Sequence, residues 1–182
     1  TPITYRMLLS HTSSLIDGIG YNGFLSASYA QDPPPAIDEV LIAGGDYYSN
    51  NMWLTAEPGT YFSYSNINFG VVATLVEKLT NTRFDVYCNN RIFQPLNLNA
   101  SFNIQDLPNI ENLAVLYRKW DNVTWDPQAD DYGGIMPEPR DLSVYPIGSN
   151  AIIFGPQGGL RISAIDLSEI LLMLMHKGTR NG

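Results

Sequence analysis

The 182-residue sequence predicts a mainly α-helical protein with long loops and a few short strands. Apolar residues between Ile67 and Leu79 recur at the spacing of one helix face. Ser163-Ala164-Ile165-Asp166 is a helix-start pattern that precedes the apolar run LSEILLMLM. Residues 99–160 are rich in Pro, Asn, Asp and Gly, which favours loops over further long elements.

Composition predicts one globular domain over residues 1–182 and narrows the choice of partners. Apolar residues make up 45% and charged residues 15%, which is too apolar for a disordered chain. The formal net charge of −8 repels phosphate backbones, so we expect no nucleic-acid partner. No apolar run reaches the roughly 18 residues of a membrane span, and ILLMLM at 170–175 is expected to be a buried helix segment.

The first third of the chain predicts short helices separated by loops. Residues 4–10 read as a helix with Thr4 as its N-cap. Residues 11–23 contain three glycines and read as a loop. The triple proline at 33–35 excludes a helix interior, and a short helix is expected from Ala36 to Ala43.

Three further elements follow along the chain. The strongest helix has its apolar face at Ile67, Val71, Val72, Leu75, Val76 and Leu79, and Asn81 suits the left-handed residue that ends it. RFDVYCNNRIF reads as a second helix that ends at Gln94-Pro95. Short strands are expected near Ala114–Tyr117 and Ala151–Phe154, before a last helix that ends at His176-Lys177 and Gly178.

Several familiar catalytic patterns are absent from the sequence. It contains no G-x-S-x-G, H-E-x-x-H, G-x-G-x-x-G or phosphate-binding loop. Cys88 has no partner for a disulfide, and one Cys with two distant His does not supply a zinc cage. His11 and His176 have little support as catalytic bases. We therefore expect no metal and no organic cofactor.

The stretch PGTYFSYSN at 58–66 resembles the serine β-lactamase-like hydrolases, which include class C β-lactamases, DD-peptidases, D-aminopeptidases and related esterases. Four segments match in the family's order: ITYRMLLSHTSSL (3–15), PGTYFSYSNINFGVV (58–72), RIFQPLNLNASF (91–102) and GPQGGLRISAIDLSEILLML (155–174). Of the family's three active-site motifs, only Y-x-N is present, at Tyr64 and Asn66. No S-x-x-K exists, and His176-Lys177-Gly178 is a chance match to the third motif.

This resemblance implies the helical lobe of an α+β hydrolase fold, without most of its antiparallel sheet. The sequence begins after the place of S-x-x-K and stops before that of K-T-G, so we expect an internal segment whose partner is the sheet lobe of the same protein. We expect it to be inactive alone. The alternative is a catalytically dead relative that binds peptides or partners. The resemblance favours a periplasmic or secreted location. In a secretory pathway, the sequons at Asn99 and Asn122 would be glycosylation sites.

The resemblance also implies roles for named residues. A serine needs an adjacent base to attack a carbonyl, and a phenolate beside lysine ammonium groups serves as one. Tyr64 is then the acid/base and Asn66 the residue that orients lysine and a substrate amide, while Ser65 points elsewhere. The plainer interpretation is that Asn66 caps the helix and Tyr64 packs. Gln157, Gly158 and Gly159 are expected to form a tight turn beside the cleft that contacts an amide, ester or peptide substrate.

Overall fold

Helices dominate the computed structural model, which describes residues 1–121 and 123–179. The described helices are α1 (Tyr5–Leu9), α2 (Ile19–Ala30), α3 (Asp38–Leu41), α4 (Ile67–Thr80), α5 (Phe84–Cys88), α6 (Gln94–Leu96) and α7 (Ala164–Met175). The described strands are β1 (Ala100–Ser101), β2 (Leu116–Lys119), β3 (Trp125–Ala129) and β4 (Arg161–Ile162). β1 pairs antiparallel with β4, and β2 with β3. The prediction of a mainly helical chain with a few short strands is confirmed.

Helix ends with local signals lie where the sequence predicts them. The Thr4 hydroxyl accepts the Met7 N–H at 3.3 Å, and the Ser163 hydroxyl accepts the Asp166 N–H at 3.0 Å. Asn81 ends α4 in the left-handed conformation, with φ of 49°. In each case the stabilising group lies within four residues of the helix end, so a short sequence window is sufficient.

The core lies where α4 meets the segments that precede it and the 3₁₀ turn Ala151–Phe154. Its buried apolar residues are Leu8, Leu15, Tyr21, Phe24, Ile37, Val40, Met52, Ile67 and Ile152. Gly70 allows the turn to approach α4 closely, since a Cβ there would lie 3.0 Å from Cδ1 of Ile152. Burial of these side chains is the main force that holds α4 in place.

The buried side of α4 is more polar than the predicted stripe. Asn68, Thr74 and Glu77 are buried, whereas Leu79 is exposed. Each buried polar side chain has a partner from another segment; the Thr74 hydroxyl, for example, accepts the Ala151 N–H at 3.0 Å. Loops that pack on α4 bring backbone donors that need acceptors, and this need overrides the simple apolar period.

The loop predicted over residues 11–23 is wrong for its second half, because α2 begins at Ile19. Gly20 lies inside this helix and faces the Tyr47 carbonyl, which a Cβ at that position would overlap. Glycine is therefore present for close packing rather than for a turn. No signal within residues 11–23 announces this contact.

Other helices and strands differ in extent or type from the sequence prediction. The helix expected over Ala36–Ala43 is reduced to α3. The second helical stretch does not end at Gln94-Pro95: a π-helical turn, Asn89–Phe93, continues α5 into α6, and Asn97 ends it with φ of 55°. Ala151–Phe154 forms a 3₁₀ turn rather than a strand, because its isoleucines pack against α4 instead of pairing with another strand.

The expectation that residues 170–175 are buried is wrong. None of the described residues of α7 is buried, and Leu171, Leu174 and Met175 are more than half exposed. Within the described residues, no helix has both the length and the apolarity to span a bilayer. Of the two sequons, Asn99 is exposed, and Asn122 lies outside the described residues.

Candidate active site at the start of helix α4

A turn and two backbone hydrogen bonds aim the segment that leads into α4. Gly59 has φ of 93°, in the left-handed region that favours glycine. Its N–H donates to the Thr12 carbonyl at 2.7 Å, and the Ser63 N–H donates to the His11 carbonyl at 2.8 Å. These bonds attach residues 59–63 to the loop after α1, which fixes where the following tyrosine emerges.

Tyr64 and Asn66 present their side chains on the same side of the helix start. The Tyr64 side chain is 60% exposed, and its hydroxyl donates to Asn66 Oδ1 at 3.2 Å. Ser65 is fully buried, and its hydroxyl donates to Asp17 Oδ1 at 3.0 Å. The structure thus brings together the two residues that the sequence singles out as acid/base and orienting group.

Asp17 is the group that caps α4. Its Oδ1 accepts the Ser65 hydroxyl and the Ile67 N–H, both at 3.0 Å. Its Oδ2 accepts the Asn66 N–H at 2.9 Å and Asn66 Nδ2 at 2.7 Å. The Asn66 side chain itself makes no capping bond, so the plainer interpretation of this residue as a helix cap is wrong.

His11 supports the turn from another side. Its Nδ1 accepts the Ser65 N–H at 3.1 Å, which places the ring proton on Nε2. Its ring stacks on Tyr64 with centroids 4.5 Å apart and an interplanar angle of 33°. Phe62 and Phe69 also pack on this ring. His11 therefore holds both the backbone and the aromatic ring of the motif.

Sequence reasoning missed His11 and Asp17 as parts of this site. Both lie in the stretch interpreted as loop, and their partners are about fifty residues away in the chain. One signal was present: Asp17 is the sole acidic residue among the first 30, in an otherwise apolar and glycine-rich segment. A charge in such surroundings indicates a specific partner.

Gln157, Gly158 and Gly159 form the predicted tight turn, in which the Gly158 and Gly159 N–H groups both donate to the Gly155 carbonyl. Gly158 and Gly159 line a cavity of about 690 Å³ between the β1–β4 pair, the β2–β3 hairpin and the start of α7. Neither Tyr64 nor Asn66 is among the residues that line it. The turn and the Tyr64 pair thus border different spaces in this structure.

Tyr21 is buried, and Tyr29, which is half exposed, donates its hydroxyl to the Ile152 carbonyl at 3.1 Å. Burial raises the pKa of Tyr21, and the charges of Asp17, Tyr29 and Tyr64 act in the same direction. Burial also raises the pKa of Tyr29, which a hydrogen bond with Gln157 opposes.

Arg161 fixes the glycine turn. Its guanidinium donates to the carbonyls of Gly159 at 2.9 Å and Phe102 at 2.8 Å. It also forms an ion pair with Asp130 at 2.7 Å, and the hydrogen bonds of this pair raise the pKa of Arg161. The Arg161–Asp130 ion pair therefore braces the part of the cavity wall that contains Gly159.

A family model described as Beta-lactamase matches residues 1–181. The fold is similar to the octameric penicillin-binding protein homologue from Pyrococcus abyssi, with a TM-score of 0.57 and 22% identity over 98% of this chain and 36% of that one.

Two further solved structures have a similar fold. The D-amino acid amidase from Ochrobactrum anthropi SV3 gives a TM-score of 0.52 and 22% identity over 96% of this chain and 42% of that one. EstCE1, a hydrolase with promiscuous acyltransferase activity, gives a TM-score of 0.58 and 23% identity over 99% of this chain and 47% of that one. This chain thus spans less than half the length of each of these structures. The match over residues 1–181 shows that the chain belongs to the beta-lactamase family, the serine hydrolases that its motifs resemble.

Proposed function

We propose that this chain carries the acid/base part of the active site of a serine hydrolase that cleaves an amide or ester through an acyl-enzyme. Tyr64 moves the proton, and Asn66 orients the reacting groups. One observation carries this proposal: an exposed phenol at a helix start has its hydroxyl held on the Asn66 side-chain amide oxygen, while the partly buried Asp17 and His11 hold the turn behind it.

The chemistry needs a Ser-x-x-Lys motif, and residues 1–182 do not contain one. A serine of a Ser-x-x-Lys motif on another segment attacks the carbonyl carbon, and its proton passes to the phenolate oxygen of Tyr64. Lysine ammonium groups favour that phenolate by opposite charge. Tyr64 then gives the proton to the amine or alcohol as the C–N or C–O bond breaks. Water or an amine finally attacks the acyl carbon and gives its proton to Tyr64, and that proton returns to the serine oxygen as the acyl-enzyme bond breaks.

We assign Gln157, Gly158 and Gly159 to the substrate side of the cleft. The exposed Gly158 has no side chain to block a ligand from the backbone, and no other atom lies within 4 Å of where its Cβ would be. Arg161 holds the turn rigid, which limits the entropy lost when a ligand binds.

The remaining parts of the site come from other segments of the same protein. The exposed apolar side chains of α7 support this part of the proposal, since a helix of this composition normally buries one face. We therefore expect the 182-residue chain alone to hydrolyse neither a chromogenic cephalosporin nor a short-chain p-nitrophenyl ester. Measurable turnover by the purified chain would contradict this division of the site.

The direct test is Tyr64→Phe in the protein that contains this chain together with the Ser-x-x-Lys segment. Removal of the hydroxyl deletes the proton carrier, and we expect kcat to fall about 100-fold to 10,000-fold. Steady-state rates with a fluorescent penicillin, a D-amino acid amide and a panel of esters measure this and separate lactamase, peptidase and esterase activities.

Tyr61→Phe is the matched control, because Tyr61 has the same exposure as Tyr64 and lies three residues away on the same segment. It should leave kcat unchanged. Equal losses in both variants would mean that the segment matters for structure alone. A wild-type protein with no turnover on any of these substrates would favour the alternative function, a catalytically dead relative that binds peptides.

A further inference from the structure

We infer that Asp17 is a positioning residue of this site: its carboxylate fixes the Asn66 side-chain amide so that the amide oxygen faces Tyr64. The inference deepens the proposed function and rests on it. Asp17 belongs to neither the Tyr-x-Asn pattern nor the four segments matched from the sequence.

The two ends of an asparagine side-chain amide have different hydrogen-bonding roles. The amide nitrogen only donates and the amide oxygen only accepts, so a rotation by half a turn exchanges their roles. A carboxylate accepts only. Because Asp17 Oδ2 lies 2.7 Å from Asn66 Nδ2, the carboxylate holds the nitrogen end and rejects the oxygen end. The oxygen is left to face the Tyr64 hydroxyl at 3.2 Å.

Asp17 is itself held in place by several hydrogen bonds. Besides the Asn66 amide, its two oxygens accept the N–H groups of Asn66 and Ile67 and the buried Ser65 hydroxyl. The carboxylate thus lies at the positive end of a 14-residue helix, where negative charge is stabilised. With backbone and side chain of Asn66 on the same carboxylate oxygen, rotation of the amide would break a short charge-assisted bond.

The consequence for chemistry is a defined role for Asn66. Its oxygen accepts from the groups that carry protons, which are the Tyr64 hydroxyl here and a lysine ammonium in the assembled site. One of its two amide protons is committed to Asp17, so a substrate carbonyl meets at most the other. Asp17 thereby sets which catalytic partner Asn66 holds.

Asp17→Asn tests this assignment, since it keeps the shape but replaces one acceptor oxygen by an NH2 group. In the hydrolase that contains this chain we expect kcat to fall about tenfold to 100-fold with KM changed less than about threefold, because the catalytic groups shift while binding surfaces stay. Asp17→Asn combined with Asn66→Ala should be no slower than Asn66→Ala alone, because Asp17 acts through Asn66. Additive losses would overturn the inference.

A second readout needs no turnover. In the isotope-labelled 182-residue chain, the Asn66 side-chain NH2 protons should exchange slowly with water, and Asp17→Asn should speed that exchange. Unchanged exchange would overturn the inference. If the wild-type hydrolase itself shows no activity, the proposed function fails, and this measurement alone decides the role of Asp17.

The control is Asp121→Asn. The Asp121 carboxylate also accepts two backbone N–H groups and one hydroxyl, from Val123 and Thr124, in the loop between β2 and β3. This variant makes the same carboxylate-to-amide change in an exposed turn away from Tyr64, so kcat and the Asn66 exchange rate should stay at wild-type values. A loss of kcat for Asp17→Asn that the control reproduces would mean that both carboxylates act through stability alone.

Discussion

Helices α4 and α7 have similar lengths and are both rich in apolar residues, but their surroundings are opposite. α4 buries six of its 14 residues, whereas α7 buries none of its 12. Ile67 is fully buried, and Leu171 is 54% exposed. An apolar period therefore shows that a helix has a face to cover, while the rest of the fold decides whether and by what it is covered.

The starts of the two helices differ in the same way. Ser163, adjacent to α7, caps it through a bond to Asp166 three residues on. α4 is capped by Asp17, which lies 49 residues before Asn66. The helix whose start depends on tertiary structure is the one that carries the candidate site, and this dependence makes the site rigid.

The largest expected effect is the loss of stability when an apolar side chain of α4, rather than one of α7, is truncated. Ile67→Ala should lower the free energy of unfolding of the 182-residue chain by about 2–5 kcal/mol, because it leaves a cavity in the core. Leu171→Ala should change it by less than about 0.5 kcal/mol, because the side chain is already hydrated. Urea unfolding measures both, and similar losses would show that α7 is covered in solution.

A second prediction sharpens the description of the buried side of α4. Glu77 is fully buried and accepts hydrogen bonds from the Tyr145 hydroxyl at 2.6 Å and the N–H groups of Gly148 at 2.7 Å and Phe84 at 2.8 Å. Burial nevertheless raises its pKa, because removal of the charge from water outweighs these bonds. The folded state therefore binds this proton more tightly than the unfolded state does.

It follows that the contribution of Glu77 to stability is complete below its unfolded pKa and decreases as pH rises through the raised folded value. Glu77→Gln cannot titrate, and it loses one of the acceptor oxygens. We expect it to cost about 1–3 kcal/mol at low pH, with a smaller cost at higher pH. Urea unfolding of the wild type and the variant from pH 4.5 to 8 measures the free-energy cost of the substitution at each pH. A cost that grows with pH would contradict a raised pKa of Glu77 in the folded state.

The smallest expected effect concerns the helix ends. Asn81 after α4 and Lys177 after α7 both have positive φ, of 49° and 55°. Glycine takes this conformation without strain, so Asn81→Gly should raise the free energy of unfolding by up to about 1 kcal/mol. Lys177→Gly should change the urea midpoint little, because the uncovered α7 opens locally before the whole chain unfolds. A larger gain at Lys177 would show that α7 unfolds together with the core.

The same contrast explains what the sequence could predict. Thr4, Ser163 and Asn81 were predicted correctly because each acts on a helix end a few residues away. Helix α2 was missed because Gly20 packs on Tyr47, and the Asp17 cap was missed because its partners are distant in the chain. Tyr64 and Asn66 were found through motif resemblance, whereas the groups that hold them follow from tertiary contacts that no local pattern contains.

The long-range cap of α4 has a practical consequence for protein engineering. Residues 58–80 contain the whole Tyr-x-Asn motif and its helix, and they look like a portable unit. Grafted alone onto another scaffold, they would lack the carboxylate and the imidazole that arrive from residues 11–17. Any transplant of this motif must therefore include both segments, residues 11–17 and residues 58–80.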